Sequence, residues 1–151
     1  MHFFREDFSQ NLNQNGWLGY DTLQNNVFIS DSAGKERAKF HEGLCWPSRY
    51  NEIYSTLEKL VDKCRKNHVE VVFITTPVLP TYYLHTNPGI IEKNTIAING
   101  LCNKYGCSYF DYFRDSRFTV KDFYDNDHLN FVGAEKFSRI FDKDIVLKLT
   151  K

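Results

Sequence analysis

No run in this 151-residue sequence approaches the roughly 18 consecutive apolar residues that a membrane-spanning helix requires. The opening Met1-His2-Phe3-Phe4-Arg5-Glu6-Asp7 lacks the basic and apolar regions of a secretory signal. The expectation is therefore a soluble chain, extracytoplasmic only if a membrane anchor precedes it. Excess charge is absent too: Lys+Arg and Asp+Glu total 19 each, for a formal net charge of zero. That balance gives no electrostatic reason to expect nucleic acid or an anionic membrane as partner. The four cysteines, Cys45, Cys64, Cys102 and Cys107, contain no CxxC pair, and no zinc-ligand spacing is present. Free thiols are expected, with Cys64 and Cys102 on apolar helix faces. No glycine-rich phosphate loop, internal repeat or cofactor-binding motif is found, so no cofactor is expected.

What is present suits a single globular domain: 42% apolar residues, 16% aromatic, nearly all Phe and Tyr. The chain divides near residue 48. Residues 1–48 are rich in Asn, Gln, Asp and Ser and show no sustained period, so an irregular connecting segment is expected, with a short strand at 26–30. A structureless run of this length is uncommon in a compact domain and hints that a covering element is missing. Residues 49–151 are patterned. Ile53, Leu57, Leu60, Val61 and Cys64 recur at helical spacing, with Ser48 or Asn51 as the expected cap. Val69 to Thr76 is almost continuously apolar and β-branched, the signature of a strand buried on both faces of a parallel sheet. Pro77 and Pro80 end it. A helix over 90–105 stops at Gly106, a strand follows over 107–112, and a last helix over 131–149 is capped by Asn130. Helix–strand–helix–strand–helix predicts an α/β domain with right-handed crossovers, a three-layer arrangement in which a short parallel sheet is flanked by helices.

In such sheets ligands sit beyond the carboxyl ends of the strands. Two loops there stand out: 75–83, with two prolines and two tyrosines, and 122–130, with three acids and a histidine. A carboxylate three positions before a histidine in a loop can accept its Nδ1–H and fix the tautomer, leaving Nε2 to take a proton from a nucleophile. Asp125 and His128 are the candidate acid and base. The alternatives from the residues alone are a polar loop in which Asp127 or Asn130 caps the last helix, and a cation site. The calcium-loop template fails, because Leu129 occupies an oxygen-ligand position. His41, His68 and His85 are isolated. His41 is a candidate to approach the loop, His68 reads as a helix-end cation and His85 as a loop residue.

A strand ending in Thr75-Thr76-Pro77, a short strand Tyr109-Phe110-Asp111-Tyr112, and the closing Asp125-x-x-His128-Leu129-Asn130-x-x-Gly133-Ala134 together resemble SGNH/GDSL hydrolases. The subgroup most similar is the membrane-anchored branch related to the lipoteichoic-acid D-alanylation protein. The likeness extends from about residue 15 to 145 and takes in Asn15-Gly16 and Arg37-Ala38-Lys39-Phe40-His41. It covers the C-terminal half of such a domain. It implies that Asp125 and His128 are two members of a Ser-His-Asp triad in an ester hydrolase or O-acyltransferase of the bacterial envelope, acting on acylated glycans or lipids. Leu129 stands where many members have proline, and Asp127 is placed to swap roles with Asp125 if the loop turns differently. The family's serine and oxyanion donors precede the region seen here, so an upstream segment is expected to supply them and the chain alone is expected to be inactive. Ile29-Ser30-Asp31-Ser32 matches the serine motif only superficially. The other expectation is a non-catalytic remnant or interaction module with the same fold.

Overall fold

The computed structural model describes residues 29–147. The first described element corrects the expectation of irregular chain before residue 48: Asp31–Gly43 is a 13-residue helix, α1. Ser30 caps it, its Oγ accepting the Ala33 N–H at 3.1 Å, and Asp31 complements the helix N-terminus. The helix escapes hydrophobic periodicity because its buried positions are Gly34 and Ala38, small residues suited to close approach rather than to apolar area. Most of the strand expected at 26–30 lies outside the described residues. Of its described positions, Ile29 is in no strand and Ser30 is the helix cap.

A 3₁₀ turn, Pro47–Arg49, leads into α2, Tyr50–Lys66. Arg49 occupies the cap position without a side-chain bond, so neither Ser48 nor Asn51 caps this helix. The turn delivers the chain already in helical conformation, which leaves no extended residue for a capping side chain. Only Val61 of the expected apolar face is buried, while Ile53 and Leu60 are more than half exposed.

The helix ends in a Schellman motif, with His68 N–H bonded to Arg65 O and Val69 N–H to Cys64 O. His68 takes the left-handed position, φ 55°, where an L side chain costs about 1 kcal/mol. His68→Gly is therefore expected to stabilise the protein by about 1 kcal/mol, read as a raised midpoint in urea.

Strands β1, Val72–Thr75, and β2, Ser108–Asp111, pair in parallel with Val72 opposite Ser108 and Thr75 opposite Asp111. The crossover between them contains α3, Pro80–Tyr83, and α4, Pro88–Tyr105, the latter capped by Asn87 and stopped by Gly106 at φ 73°. The α/β class is thus observed, among the described residues, as a two-stranded parallel sheet in a mostly helical structure. Strand β1 is shorter than the apolar run, and it is not buried on both faces: Ile74 is 39% exposed. Among the described residues it has one pairing partner, β2, and no strand on its second edge.

A second 3₁₀ turn, Val120–Asp122, precedes α5, Phe131–Phe141, which continues as a π-helical turn to Val146. Leu79, Phe118 and Phe123 form one buried cluster, with Ile29, Leu129, Phe137 and Ile140 packed against it. Ala38, Tyr82 and Phe113 form the other. Phe123 and Leu129, at the two ends of the loop 123–130, both belong to the first of these clusters.

Candidate functional site

Local hydrogen bonding turns the polar run 122–130 into a rigid loop. Phe123 and Leu129 form an antiparallel bridge, and Tyr124 N–H donates to His128 O at 2.8 Å. At the tip, Asp125 Oδ1 accepts the backbone N–H of Asp127 at 3.0 Å and of His128 at 2.7 Å. This is the Asx-turn habit of aspartate, and it holds the carboxylate against the residue three positions later. Downstream, Asn130 acts twice. Its Oδ1 accepts Gly133 N–H at 2.9 Å and caps α5, while its Nδ2 donates to Lys121 O and Phe123 O. Gly133 lets α5 close onto the Asp122 carbonyl, which an added Cβ would meet at 1.9 Å.

The imidazole of His128 lies beside Asp125, with Nδ1 at 2.9 Å from Oδ2 and 3.1 Å from Oδ1. Burial alone would raise the Asp125 carboxyl. The hydrogen bonds from His128 and from two backbone amides outweigh it and hold the group down to about 2. The same contact, opposed by partial burial, raises His128 above its ordinary value. Half of the His128 side chain is exposed and half is packed in the loop. Among the described residues no hydroxyl is hydrogen-bonded to its Nε2. The pair has the form of an oriented general base: ionised carboxylate, fixed Nδ1, accessible ring.

Linkage gives this pair a pH signature. The lowered carboxyl contributes stability that is present above the ordinary 3.8 and lost as pH falls towards 2; the raised imidazole contributes stability present below the ordinary 6.5 and lost as pH rises through its folded value. The destabilisation caused by His128→Gln is therefore expected to be greatest between about pH 4 and 6.5. Thermal melts of both proteins across a pH series read this difference directly. The comparison matters because burial lowers His41, whose contribution to stability has the opposite pH dependence.

The alternative carboxylate, Asp127, is engaged elsewhere. Its side chain is 8% exposed, and Arg37 of α1 shares its Nε–H between both Asp127 oxygens, 3.1 Å from each. His128 Nδ1 stands 3.9 Å from Asp127, beyond hydrogen-bonding reach. His41 also arrives from α1: its Nδ1 is 2.7 Å from the Tyr82 hydroxyl and 3.8 Å from Asp127. His85 instead meets Asp31 at 2.7 Å.

Arg37 enters the sequence reading only within the resemblance, with no role assigned to it at this loop. It lies ninety positions from Asp127, on a helix without apolar periodicity, so no local spacing signals it. Ser32 sits on the exposed side of the first turn of α1, its Oγ 3.2 Å from Ser30 Oγ, and no hydrogen bond joins it to His128.

Asp125, Asp127 and His128 offer ligand atoms within 4.8 Å of one another. The donor set does not suit a resident cation. Both Asp127 oxygens already face the Arg37 guanidinium, and Asp125 Oδ1 is occupied by two amide hydrogens.

Residues 48–150, more than half of the chain, match the model of an uncharacterised protein family. The chain belongs to that family. No curated protein and no solved structure matches it. The matched span contains the whole Asp125–His128 loop, whereas α1 with Arg37 and His41 precedes it.

Proposed function

We propose that this chain carries the acid and base of an SGNH-type ester hydrolase or O-acyltransferase acting on acylated glycans or lipids. The observation that supports this reading is the Asp125–His128 contact at 2.9 Å, on a rigid loop leading into α5. In the proposed reaction His128 Nε2 takes the proton of a serine hydroxyl as it attacks the ester carbonyl, and later returns it to the leaving alkoxide. Asp125 stays ionised and balances the imidazolium. The serine and the oxyanion donors come from a segment other than residues 29–147, packed so as to complete a three-layer SGNH-like domain.

Since triad members act as a unit, the polypeptide alone is expected to hydrolyse p-nitrophenyl acetate no faster than free imidazole at equal concentration. Turnover that Ser32→Ala abolishes would replace this reading with an intramolecular triad. The positive arm adds a polypeptide translated from the sequence immediately upstream of Met1. Esterase activity that disappears on His128→Ala is the expected result, and activity indifferent to His128 removes the proposal.

A second reading, a non-catalytic interaction module, is favoured by the exposure of Trp46, Ile53 and Leu60, each more than half accessible. Under that reading, His128→Ala leaves every activity of a completed assembly unchanged.

A further inference from the structure

The loop offers His128 two carboxylates, three residues and one residue away, and both approach its Nδ1. Within the loop the Asx turn sets Asp125 beside His128, but it leaves the Asp127 carboxylate unoccupied. Asp127 is the more buried of the two, with a side chain 8% exposed against 24% for Asp125, so loop burial alone would not exclude it. What engages Asp127 elsewhere is α1. Gly34 brings this helix into backbone contact with Thr81 of α3, and the Thr81 hydroxyl donates to Asn126 Oδ1 at 2.6 Å. From that docked position Arg37 reaches across to both oxygens of Asp127.

We propose that Arg37 is a positioning residue for the Asp125–His128 pair: by occupying Asp127, it leaves Asp125, of these two carboxylates, to accept the His128 Nδ1–H. This inference rests on the pair proposed above and adds that a residue preceding the family-matched span sets the pair's identity. Arg37 touches neither reacting atom; it acts through Asp127. His41, also on α1, stands 3.8 Å from Asp127 Oδ2 and is held by the Tyr82 hydroxyl at 2.7 Å.

The test is a mutant cycle read on the His128 imidazole by NMR titration of the full chain, with no substrate needed. The groups facing His128 are Asp125 and Asp127 on its own loop and Arg37 and His41 on α1, so the two imidazoles are assigned separately in the titration. Asp125→Asn keeps an oxygen for the two backbone amides but removes the charge, so in the wild-type background His128 is expected to titrate at lower pH. In the Arg37→Met background, which keeps the apolar stem, Asp127 is released to take over. The downward shift on Asp125→Asn is then expected to shrink, and Asp127→Asn is expected to acquire a larger effect than in wild type. Arg37→Lys restores the wild-type pattern in part, because one ammonium still holds one carboxylate oxygen.

Equal shifts on Asp125→Asn in both backgrounds overturn the inference about Arg37 while leaving the pair intact. No shift on Asp125→Asn in wild type removes the pair itself, a separate failure. A purely structural role for Arg37 lowers the melting temperature but leaves the pattern of shifts unmoved, and that outcome also refutes the positioning role.

Discussion

Gly133→Ala is expected to destabilise the protein by about 3 kcal/mol, with a fall in melting temperature of roughly 10 °C. The added Cβ meets the Asp122 carbonyl oxygen at 1.9 Å and its carbon at 2.8 Å. Both are backbone atoms in a 3₁₀ turn pinned by its own capping box, Thr119 with Asp122, and by Lys136, whose Nζ lies 2.8 Å from Asp122 Oδ2. A flexible side chain would swing aside; this turn cannot. Relief requires α5 to lift from the turn, which strains the Asn130 cap and, through Asn130 Nδ2, the backbone at Phe123 that closes the candidate catalytic loop. Gly100→Ala serves as the control. It sits in the interior of α4 with nothing nearer than 3.9 Å and is expected to stabilise by about 0.5–1 kcal/mol through helix propensity. Calorimetry of the two variants should give shifts of opposite sign, and two shifts of the same sign would contradict the steric account.

The second large effect is expected at Gly34→Ala. There the new methyl carbon would lie 1.8 Å from the Thr81 carbonyl oxygen and 2.5 Å from its carbon. Restoring ordinary contact moves α1 away from α3 by roughly 1.5 Å. The expected loss is about 2–3 kcal/mol, concentrated in α1 because that helix is held by one face. Hydrogen exchange should show α1 amides losing protection while those of α4 and the sheet keep theirs. Uniform loss of protection would mean that α1 unfolds only with the whole domain. Retreat of α1 also draws Arg37 from Asp127, so Gly34→Ala is expected to reproduce the Arg37→Met pattern at His128 without touching a charged residue. Gly43→Ala, at the far end of the same helix and with nothing within 4 Å, is expected to be neutral or mildly stabilising.

Both glycines show where sequence reading succeeds and where it stops. Gly133 belongs to the run Asp125-x-x-His128-x-Asn130-x-x-Gly133, in which each named residue does something local. Asp125 closes the Asx turn, His128 lays its ring against that carboxylate, Asn130 caps α5 and Gly133 permits the close approach. The first three join near neighbours in the chain, within reach of a reading by spacing; the close approach of Gly133 to Asp122 was marked only by the resemblance. Gly34 belongs to a segment that reads as irregular. Its helix buries glycine and alanine rather than a stripe of large apolar residues, and no hydrophobic period registers such a face. The two-sided burial expected of β1 failed for a related reason. An apolar, β-branched run fixes strand propensity, but whether its faces are covered depends on which elements lie nearby.

By itself the sequence determined the helix–strand–helix–strand–helix order from residue 50 onward, the stop at Gly106 and the cap at Asn130. Each follows from dihedral preference or from hydrogen bonds between near neighbours in the chain. Only the tertiary structure decided that α1 forms and docks through Gly34, that Arg37 occupies Asp127, and that Asp125 is therefore the carboxylate left for His128. Those outcomes join residues as far as ninety positions apart. They depend on two backbones approaching within contact distance, which no local pattern of side chains encodes.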